Sequence, residues 1–410
     1  MLYFLVRPIA RYVLRYYFRH IDISGLEHLP ATGPVILAAN HPTAFIEPCV
    51  LACFQRRPLW FLARGNLYKN RLATWTLRAL HILPVFRIED GGYGKLKRNF
   101  ATFAACERAL SNGRALLILA EGRCIHERKL RPLRKGTARI ALGALEADPT
   151  LAEVPIVPVG VHFTDATSVR SAVYVKCGPP VPTSDFLTTY RANEARGVRE
   201  LTAAVRRSLA PLVVQLPEPE HATETLLRIA AAVDDGTAVG ITHSGKPADR
   251  VLSASRVEVG EKLLTEYNSL LDYLGATPIT IQDELAANRT SAPTFLSLLL
   301  AGTLLLPHLP VWFLAQFVAR TQTNFIEFYS PVRFAALAVA TVLYLPLLFF
   351  LPWGAKLYLI AALLTVRWSL RQLDAYRRAV ALRHYRRRVA HRRARAEDLH
   401  RQLADQLHLE

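Results

Sequence analysis

The chain has 410 residues, with 51 lysine and arginine residues against 33 aspartate and glutamate residues and a net charge of +18. Such a charge suits a polyanion or an anionic membrane, and the positive mean hydropathy of +0.16 argues against a nucleic-acid binder, which is usually hydrophilic. Five cysteines lack the spacing of a zinc site or a disulfide framework, so we expect reduced structural thiols and no metal: Cys49, Cys53, Cys106, Cys124 and Cys177.

Residues 1–20 predict an amphipathic helix. Arginine recurs every four residues between aromatic and aliphatic side chains, at Arg7, Arg11, Arg15 and Arg19. On a helix of about 3.6 residues per turn these arginines form a slowly winding stripe. We expect the helix to lie on an anionic lipid surface; the alternative is a helix packed on the folded domain with its arginines in solvent. The segment lacks the uninterrupted apolar stretch of a cleavable secretory signal.

Residues 21–215 alternate between apolar strand patterns and helical patterns. The predicted strands cover residues 20–25, 34–39, 58–64, 82–87, 115–120, 154–161 and 172–176. The predicted helices cover residues 70–80, 95–112 and 135–147. Continuous apolar strands that alternate with helices imply a sheet covered on both faces. We therefore expect an α/β domain with a mixed sheet flanked by helices.

Residues 216–290 change character. They show helical patterns and a loop-rich link marked by Gly236, Gly240 and Gly245. We expect a helical linker region without catalytic residues.

Residues 291–366 predict a C-terminal transmembrane helical hairpin. The runs 295–319 and 334–355 are apolar, and at about 1.5 Å per residue each is long enough to cross a ~30 Å hydrocarbon core. Prolines within both runs predict kinks. Apolar residues resume at 357–366, which leaves open one tilted span or a span with a re-entrant piece.

Residues 367–410 form an arginine-rich tail next to the predicted hairpin. The positive-inside bias places this tail, and with it the α/β domain, on the cytoplasmic face of a membrane. The tail offers few aromatic rings for stacking on bases, since beyond Trp368, next to the apolar run, it has only Tyr376 and Tyr385. We therefore expect membrane lipids, and no nucleic acid, as partners.

Polar residues cluster where the predicted strands end. Asn40 and His41 follow the second strand, and Glu47 comes six residues after His41. Other polar residues end the fourth and fifth strands, namely Arg87 and the run Glu121-Gly122-Arg123. Ligands of α/β sheets collect at strand ends. This pattern predicts a base beside an anion site.

The order of these blocks resembles the glycerolipid acyltransferases, the family of glycerol-3-phosphate and 1-acylglycerol-3-phosphate acyltransferases, over residues 20–180. His41 matches the family's catalytic histidine and Arg87 its second-block arginine. The remaining matches are the glutamate-glycine block at 121–123, the proline-containing fourth block at 154–158 and a basic-glycine helix start at Lys135-Gly136.

The acidic residue departs from the usual family pattern. The family places aspartate after four intervening residues, but Ile46 holds that position here and Glu47 follows it. The chain looks most like a subset of the family that resembles the fungal glycerol-3-phosphate/dihydroxyacetone-phosphate acyltransferases. This subset has five intervening residues and C-terminal membrane segments, and Glu47 here stands in place of its aspartate. Because Pro42 and Pro48 follow the two residues, we expect His41 and Glu47 in extended backbone, paired through a turn.

The resemblance implies a role for each candidate. His41 acts as general base and Glu47 orients its ring. Arg87 and Arg123 bind an acceptor phosphate, and Glu121 orients an arginine or an acceptor hydroxyl. Asn40, Gly122 and Lys135 are further substrate-binding candidates.

Together these expectations describe a membrane-bound O-acyltransferase of phospholipid synthesis with no bound cofactor. The acyl donor is a thioester of coenzyme A or acyl carrier protein. The acceptor is a hydroxyl of glycerol 3-phosphate or 1-acylglycerol 3-phosphate. Two alternatives stay open: an acyltransferase for lysophospholipids or other lysolipids, and a non-catalytic lipid-binding membrane protein that keeps the fold.

Overall fold

The computed structural model describes residues 1–86, 98–216, 220–235, 240–286, 292–344 and 346–408. The chain forms two compact units. The first comprises Met1–Tyr12, Ile23–His162 and Tyr174–Val213. The second comprises Val13–Asp22, Phe163–Val173 and Val214–Glu410.

In the described part of the chain, eight strands form one sheet in the order β4-β3-β5-β2-β6-β7-β1-β8. The strands are β1 (His20–Ser24), β2 (Val35–Ala39), β3 (Leu59–Arg64), β4 (Ile82–Val85), β5 (Ala115–Leu119), β6 (Ile156–Phe163), β7 (Ala172–Cys177) and β8 (Gly240–Thr242). The strands predicted from residues 20–177 are confirmed, most of them within two residues at each end.

The sheet is mixed, as predicted. β2 pairs in parallel with β5 and β6, β3 pairs in parallel with β4 and β5, and β1 pairs in parallel with β8. β6 and β7 run antiparallel, because Thr164 N–H donates to Ala172 at one end while Gly178 N–H donates to Pro158 at the other. Parallel neighbours bring the carboxyl ends of β2 and β5 to the same edge.

Helices flank this sheet and make up most of the second unit. Within the same described residues they are α1 (Leu2–Tyr17), α2 (Ile46–Phe54), α3 (Arg71–Ala79), α4 (Arg98–Ser111), α5 (Gly136–Ala147), α6 (Leu187–Ala192), α7 (Glu194–Leu209), α8 (Glu220–Asp235), α9 (Lys246–Ala254), α10 (Glu261–Leu274), α11 (Pro278–Leu285), α12 (Phe295–Leu305), α13 (Leu309–Gln322), α14 (Ile326–Tyr344), α15 (Leu347–Phe350), α16 (Trp353–Arg386) and α17 (Ala390–Gln406).

The core of the first unit lies around β2, whose five residues are all buried. Ile36 and Ala38 pack in one cluster with Ile140 of α5 and Leu201 of α7. The intervening residues of β2 point to the opposite face and are buried as well. The sheet is therefore covered on both faces at its centre, as its continuous apolar strands indicate.

Gly240 is not in a loop, contrary to the sequence-based expectation for the linker region. It begins β8, which pairs His20 with Gly240 and Asp22 with Thr242. The φ angle of Gly240 is +121°, a value that favours glycine. A three-residue strand that starts with glycine carries no period-two pattern, which explains the error.

Two apolar segments follow in the second unit. Phe295–Gln322 and Ile326–Leu343 are long and apolar enough to cross a membrane, with mean hydropathies of 1.8 and 1.4 and with 11% and 28% of their residues buried. A single 3-10 turn at Leu306–His308 interrupts the first, at the kink that Pro307 predicts. The two segments are compatible with a helical hairpin, since α13 and α14 pack together.

The second apolar helix begins earlier than the sequence pattern predicts. It starts at Ile326 and ends at Tyr344, and residues 357–366 belong to the separate helix α16. Pro346 and Pro352 stand where the chain leaves helical geometry, because proline lacks the N–H that a helix interior needs.

Arg333 lies inside this apolar helix and is only 4% exposed. Its guanidinium donates to the Tyr17 hydroxyl at 3.0 and 3.1 Å and to Gln316 at 3.3 Å, and it lies 4.9 Å from the ring centre of Tyr329. These contacts satisfy the positive charge of Arg333, so this arginine can lie inside an apolar helix. The helix α14 therefore begins upstream of Arg333, where the apolar sequence pattern stops.

The arginine-rich tail is largely folded against acidic partners in the second unit. Arg378 lies 3.7 Å from Asp283, Arg386 2.7 Å from Glu284 and Arg395 2.7 Å from Glu266. Further upstream, Asp374 pairs with Arg170. Part of the positive charge of the tail is therefore neutralised within the protein.

Gly160 provides a test of the packing in the first unit. A Cβ atom at this position would lie 1.9 Å from the carbonyl oxygen of Leu212. We expect Gly160→Ala to destabilise the protein by about 1–3 kcal/mol, since backbone must move to relieve the clash. The matched control is Gly136→Ala, where nothing lies within 4 Å. Thermal unfolding in detergent measures both, and equal unfolding temperatures for the two variants would contradict this account.

Candidate active site

The site is built at the carboxyl end of β2, at the centre of the sheet. Asn40 follows this strand and is 5% exposed. Its amide donates to the carbonyl of Val161 at 2.9 Å, and its Oδ1 accepts from Val161 N–H at 2.7 Å. Asn40 thereby ties the end of β2 to β6. The structure gives this side chain a positioning contact rather than the substrate contact expected from the sequence.

His41 and Glu47 lie side by side. The Nδ1 atom of His41 is 3.6 Å from Oε1 of Glu47, and the side chains are 8% and 0% exposed. Within the described residues, Nδ1 has no hydrogen-bond partner. The distance is longer than a hydrogen bond, but such contacts in unliganded sites often tighten when substrate binds.

Thr43 fixes the carboxylate of Glu47. Its backbone N–H donates to Oε1 at 2.5 Å and its hydroxyl donates to Oε2 at 2.7 Å. Sequence reasoning missed Thr43, although a hydroxyl residue between the histidine and the acid is visible in the sequence. Both oxygens of Glu47 therefore have donors, and Oε1 also faces the imidazole.

Glu47 lies in the first turn of α2. The expectation of extended backbone at Glu47 is wrong, because Pro48 occupies a first-turn position whose N–H no helical bond requires. The carboxylate also gains from its place at the positive end of the helix dipole.

Glu121 holds the backbone of His41. Its Oε2 accepts from His41 N–H at 2.8 Å and from Nη2 of Arg131 at 2.8 Å, while its Oε1 accepts from Arg131 N–H at 2.8 Å. Nη2 of Arg131 also donates to the carbonyl of His41 at 3.3 Å and to the carbonyl of Arg123. Glu121 and Arg131 together bond both polar groups of the His41 main chain.

Arg131 is the main residue that sequence reasoning missed. The sequence indicates that Glu121 orients an arginine, but it offers several in the basic run from Arg123 to Lys135. Nothing in the pattern distinguishes Arg131 from its neighbours.

Three of the remaining predicted residues follow β5 in the chain. Gly122 has φ +74°, and a Cβ there would lie 2.8 Å from Cγ of Arg134, so the turn requires glycine. The side chains of Arg123 and Lys135 are exposed. Arg87 lies outside the described residues, and its role stays a prediction.

The cysteines have the properties of structural thiols. Burial raises the pKa of Cys53, Cys106 and Cys177 to about 12, and burial likewise raises the pKa of Cys49. A protonated thiol is a poor nucleophile. All five cysteines are free of disulfide bonds.

His162 is a second buried histidine near the end of β6. Burial, together with the charge of Arg128 and the neighbouring His126, holds the pKa of His162 well below its usual range. Its Nε2 lies 3.4 Å from Arg128. His162 is therefore neutral at physiological pH.

This geometry is suited to activating a hydroxyl group. A buried imidazole beside a fixed carboxylate removes a proton from an attacking alcohol, and the carboxylate stabilises the imidazolium that forms. An α/β sheet that presents this pair at the end of a central strand is compatible with acyl transfer to a hydroxyl group.

Comparison with known proteins supports the resemblance of the sequence blocks. Residues 20–162 match the Acyltransferase family. Over 141 residues the chain is 28% identical to glycerol-3-phosphate O-acyltransferase 2 of Saccharomyces cerevisiae, covering 34% of this chain and 18% of that protein.

Two further likenesses are more distant. Over 343 residues the chain is 21% identical to an uncharacterized acyltransferase of Schizosaccharomyces pombe, covering 62% of this chain and 49% of that one. The chain thus spans half or less of the length of these two relatives. The crystal structure of the 1-acyl-sn-glycerophosphate acyltransferase PlsC from Thermotoga maritima matches with a TM-score of 0.34 and 20% identity, over 49% of this chain and 80% of that one.

Glu47→Gln tests the orienting carboxylate. Thr43 donates to both oxygens of Glu47, but a glutamine side chain has only one oxygen that can accept. The NH₂ group of the glutamine must therefore face either Thr43 or Nδ1 of His41. We expect kcat for acyl transfer to fall by about 10²- to 10⁴-fold with little change in KM. Thr43→Val keeps the carboxylate and is expected to cost less. A glutamine variant with wild-type turnover would mean that another group orients the histidine.

Arg131→Met tests the contact that fixes the His41 backbone. Removing one member of a buried charged network costs about 1–3 kcal/mol, so we expect kcat to fall by roughly 10- to 100-fold. Arg131→Lys retains the positive charge but lacks the planar guanidinium group, and it should recover part of the activity. The matched control is Arg139→Met on the exposed face of α5. If both methionine variants turned over equally, Arg131 would have no role in positioning His41.

Proposed function

We propose that this protein transfers a fatty acyl group from a thioester to a hydroxyl of a glycerol phosphate. The observation that carries the proposal is the buried pair of His41 and Glu47, 3.6 Å apart at the end of the central strand. The donor is an acyl thioester of coenzyme A or acyl carrier protein, and the acceptor is glycerol 3-phosphate or its 1-acyl ester.

His41 takes the proton of the acceptor hydroxyl as the oxygen attacks the thioester carbonyl. An imidazole protonated at Nδ1 directs that N–H toward Glu47 and leaves Nε2 to accept the proton. The tetrahedral intermediate then expels the thiolate, which takes the proton back from Nε2. The products are an ester and a free thiol, and His41 returns to its starting state. Positioned general-base catalysis of this kind supplies about 10²- to 10⁴-fold in rate.

A cluster of cations supports a phosphate-bearing acceptor. Six basic residues lie between Glu121 and α5: Arg123, Arg128, Lys129, Arg131, Arg134 and Lys135. Arginine and lysine bind phosphate through charge-assisted hydrogen bonds. Arg131 is engaged with Glu121. The proposed phosphate ligands are the basic residues that the sequence predicts, namely Arg87, Arg123 and Lys135.

The name of the Saccharomyces cerevisiae relative favours glycerol 3-phosphate as the acceptor. The 28% identity to that relative extends over 34% of this chain, and the segment of residues 20–162 that matches the Acyltransferase family contains both His41 and Glu47. Acyl transfer to glycerol phosphates places the protein in phospholipid synthesis.

We further propose that the protein works at a membrane, with its catalytic domain on the cytoplasmic face. Only 11% and 28% of the residues in the two apolar segments of the second unit are buried, and the first segment exposes large apolar side chains such as Phe295, Leu299 and Phe313. Exposed apolar surface of this kind marks a membrane or partner contact. A long-chain substrate partitions into lipid, so attachment to the bilayer brings the enzyme to its substrates.

Assays of purified membranes with labelled acyl thioester test the function. We expect wild-type protein to form labelled ester and His41→Ala to lose at least ~10²-fold of that activity, because the general base is gone. The matched control is His391→Ala, an exposed histidine of α17. Wild-type turnover in His41→Ala protein that inserts normally would contradict the mechanism.

Competition between acceptors then identifies the substrate. Glycerol 3-phosphate, its 1-acyl ester and lysophospholipids are offered together, and the labelled products are separated. We expect glycerol 3-phosphate or its 1-acyl ester to compete best. Preference for a lysophospholipid would indicate a lysophospholipid acyltransferase. Absence of ester product with every acceptor would favour lipid binding without catalysis.

A further inference from the structure

Helix α3, Arg71–Ala79, has an unusual outer face. None of its residues is buried. Leu72 is 71% exposed and Trp75 is 62% exposed, and Arg71 and Arg78 are exposed beside them. Positions 71, 75 and 78 fall on one side of a helix. A large aromatic ring is therefore presented to the exterior between two arginines.

A helix on the surface of a water-soluble domain directs its apolar residues inward. In α3 the half-buried residues that face the domain include Leu77, while Leu72 and Trp75 point away from it. Apolar and basic side chains on one outward face are typical of helices that lie at the boundary between lipid headgroups and acyl chains.

The first turns of α1 carry further exposed apolar residues near the end of α3. Phe4 is 56% exposed and Leu5 is 65% exposed. The Tyr3 ring stacks on the His81 ring at 4.6 Å, and the Phe4 ring meets it edge-on at 6.3 Å. His81 lies two residues beyond the end of α3, so both helices present exposed apolar side chains around the same residue of the first unit.

The charge of this region is of one sign. Residues 56–86 contain no aspartate or glutamate, and their basic residues are Arg56, Arg57, Arg64, Lys69, Arg71 and Arg78. Residues 1–19 also lack acidic side chains. Lys69, Arg71 and Arg78 line an open cleft of about 780 Å³ together with Trp75. Three cations beside an aromatic ring match the chemistry of a phosphate headgroup above its acyl chains.

We propose that α3 and the first turns of α1 form a docking surface for an anionic bilayer. In this arrangement Leu72 and Trp75 enter the boundary between headgroups and acyl chains, and Arg71, Arg78 and Lys69 contact lipid phosphates. The inference extends the proposed function, since it gives the catalytic unit its own lipid contact in addition to the apolar segments of the second unit.

Site-specific labelling of the full chain in nanodiscs tests this surface. An environment-sensitive fluorophore is attached at Leu72→Cys or Trp75→Cys, in phosphatidylcholine nanodiscs with and without phosphatidylglycerol. The matched control is Ala195→Cys, an exposed site on α7 of the same unit. The unsubstituted chain measures background labelling of the native thiols.

We expect the label at positions 72 and 75 to be several-fold brighter in anionic nanodiscs and to be quenched by lipids that carry a spin label on the acyl chain. At position 195 neither effect should occur. Arg71→Glu combined with Arg78→Glu should reduce the quenching, and so should high salt, because salt screens charge contacts at the surface.

Equal responses at positions 75 and 195 would overturn the proposal. A label at position 75 that is shielded from water but is not quenched by the spin-labelled lipids would also overturn the proposal. In that case a second copy of the chain or another protein segment would cover the face. Acyl transfer by the same labelled samples, measured in detergent, distinguishes failure of this proposal from failure of the proposed function. Turnover without lipid contact rejects only the docking surface. Lipid contact without turnover rejects only the catalytic function.

Discussion

The bridge that Glu121 makes between His41 and Arg131 is the contact on which the site depends. One carboxylate at the end of β5 accepts from the main chain of His41 at the end of β2 and from both the main chain and the side chain of Arg131. The two strands are parallel neighbours, so the sheet itself brings these residues to one edge. A buried carboxylate needs such partners, and here its partners include the backbone of the proposed catalytic residue.

The unusual spacing between His41 and Glu47 follows from where α2 begins. Helical side chains lean toward the N-terminus of their helix, and Glu47 lies in the first turn of α2. Its carboxylate therefore leans back over the loop, where Thr43 donates to both of its oxygens and Nδ1 of His41 lies 3.6 Å away. An acid one residue later than the family pattern still reaches the imidazole, because the helix start and the long side chain direct it there.

The sequence predicts much of the fold and the centre of the site, and the misses have physical causes. Apolar runs reveal the buried strands because the sheet is covered on both faces, and His41 stands out as a polar residue directly after such a run. Arg131 cannot be found in this way, since its contact with Glu121 arises only when the loop after β5 folds back. The start of α14 is missed for a similar reason: Arg333 ends the apolar pattern, but Tyr17 and Gln316 satisfy it in the folded chain.

The basic residues have different surroundings in the two units. In the second unit, tail arginines meet carboxylates, as Arg386 does with Glu284 and Arg395 with Glu266. Such pairs hold helices together and leave less charge for a polyanion. In the first unit, residues 56–86 have basic side chains and no acidic ones, so no carboxylate within that segment can neutralise them. The net charge of +18 is therefore a poor guide to partners by itself. The position of the basic residues in the fold favours the first unit, which also carries the proposed catalytic pair, as the site of the anionic ligand that we propose.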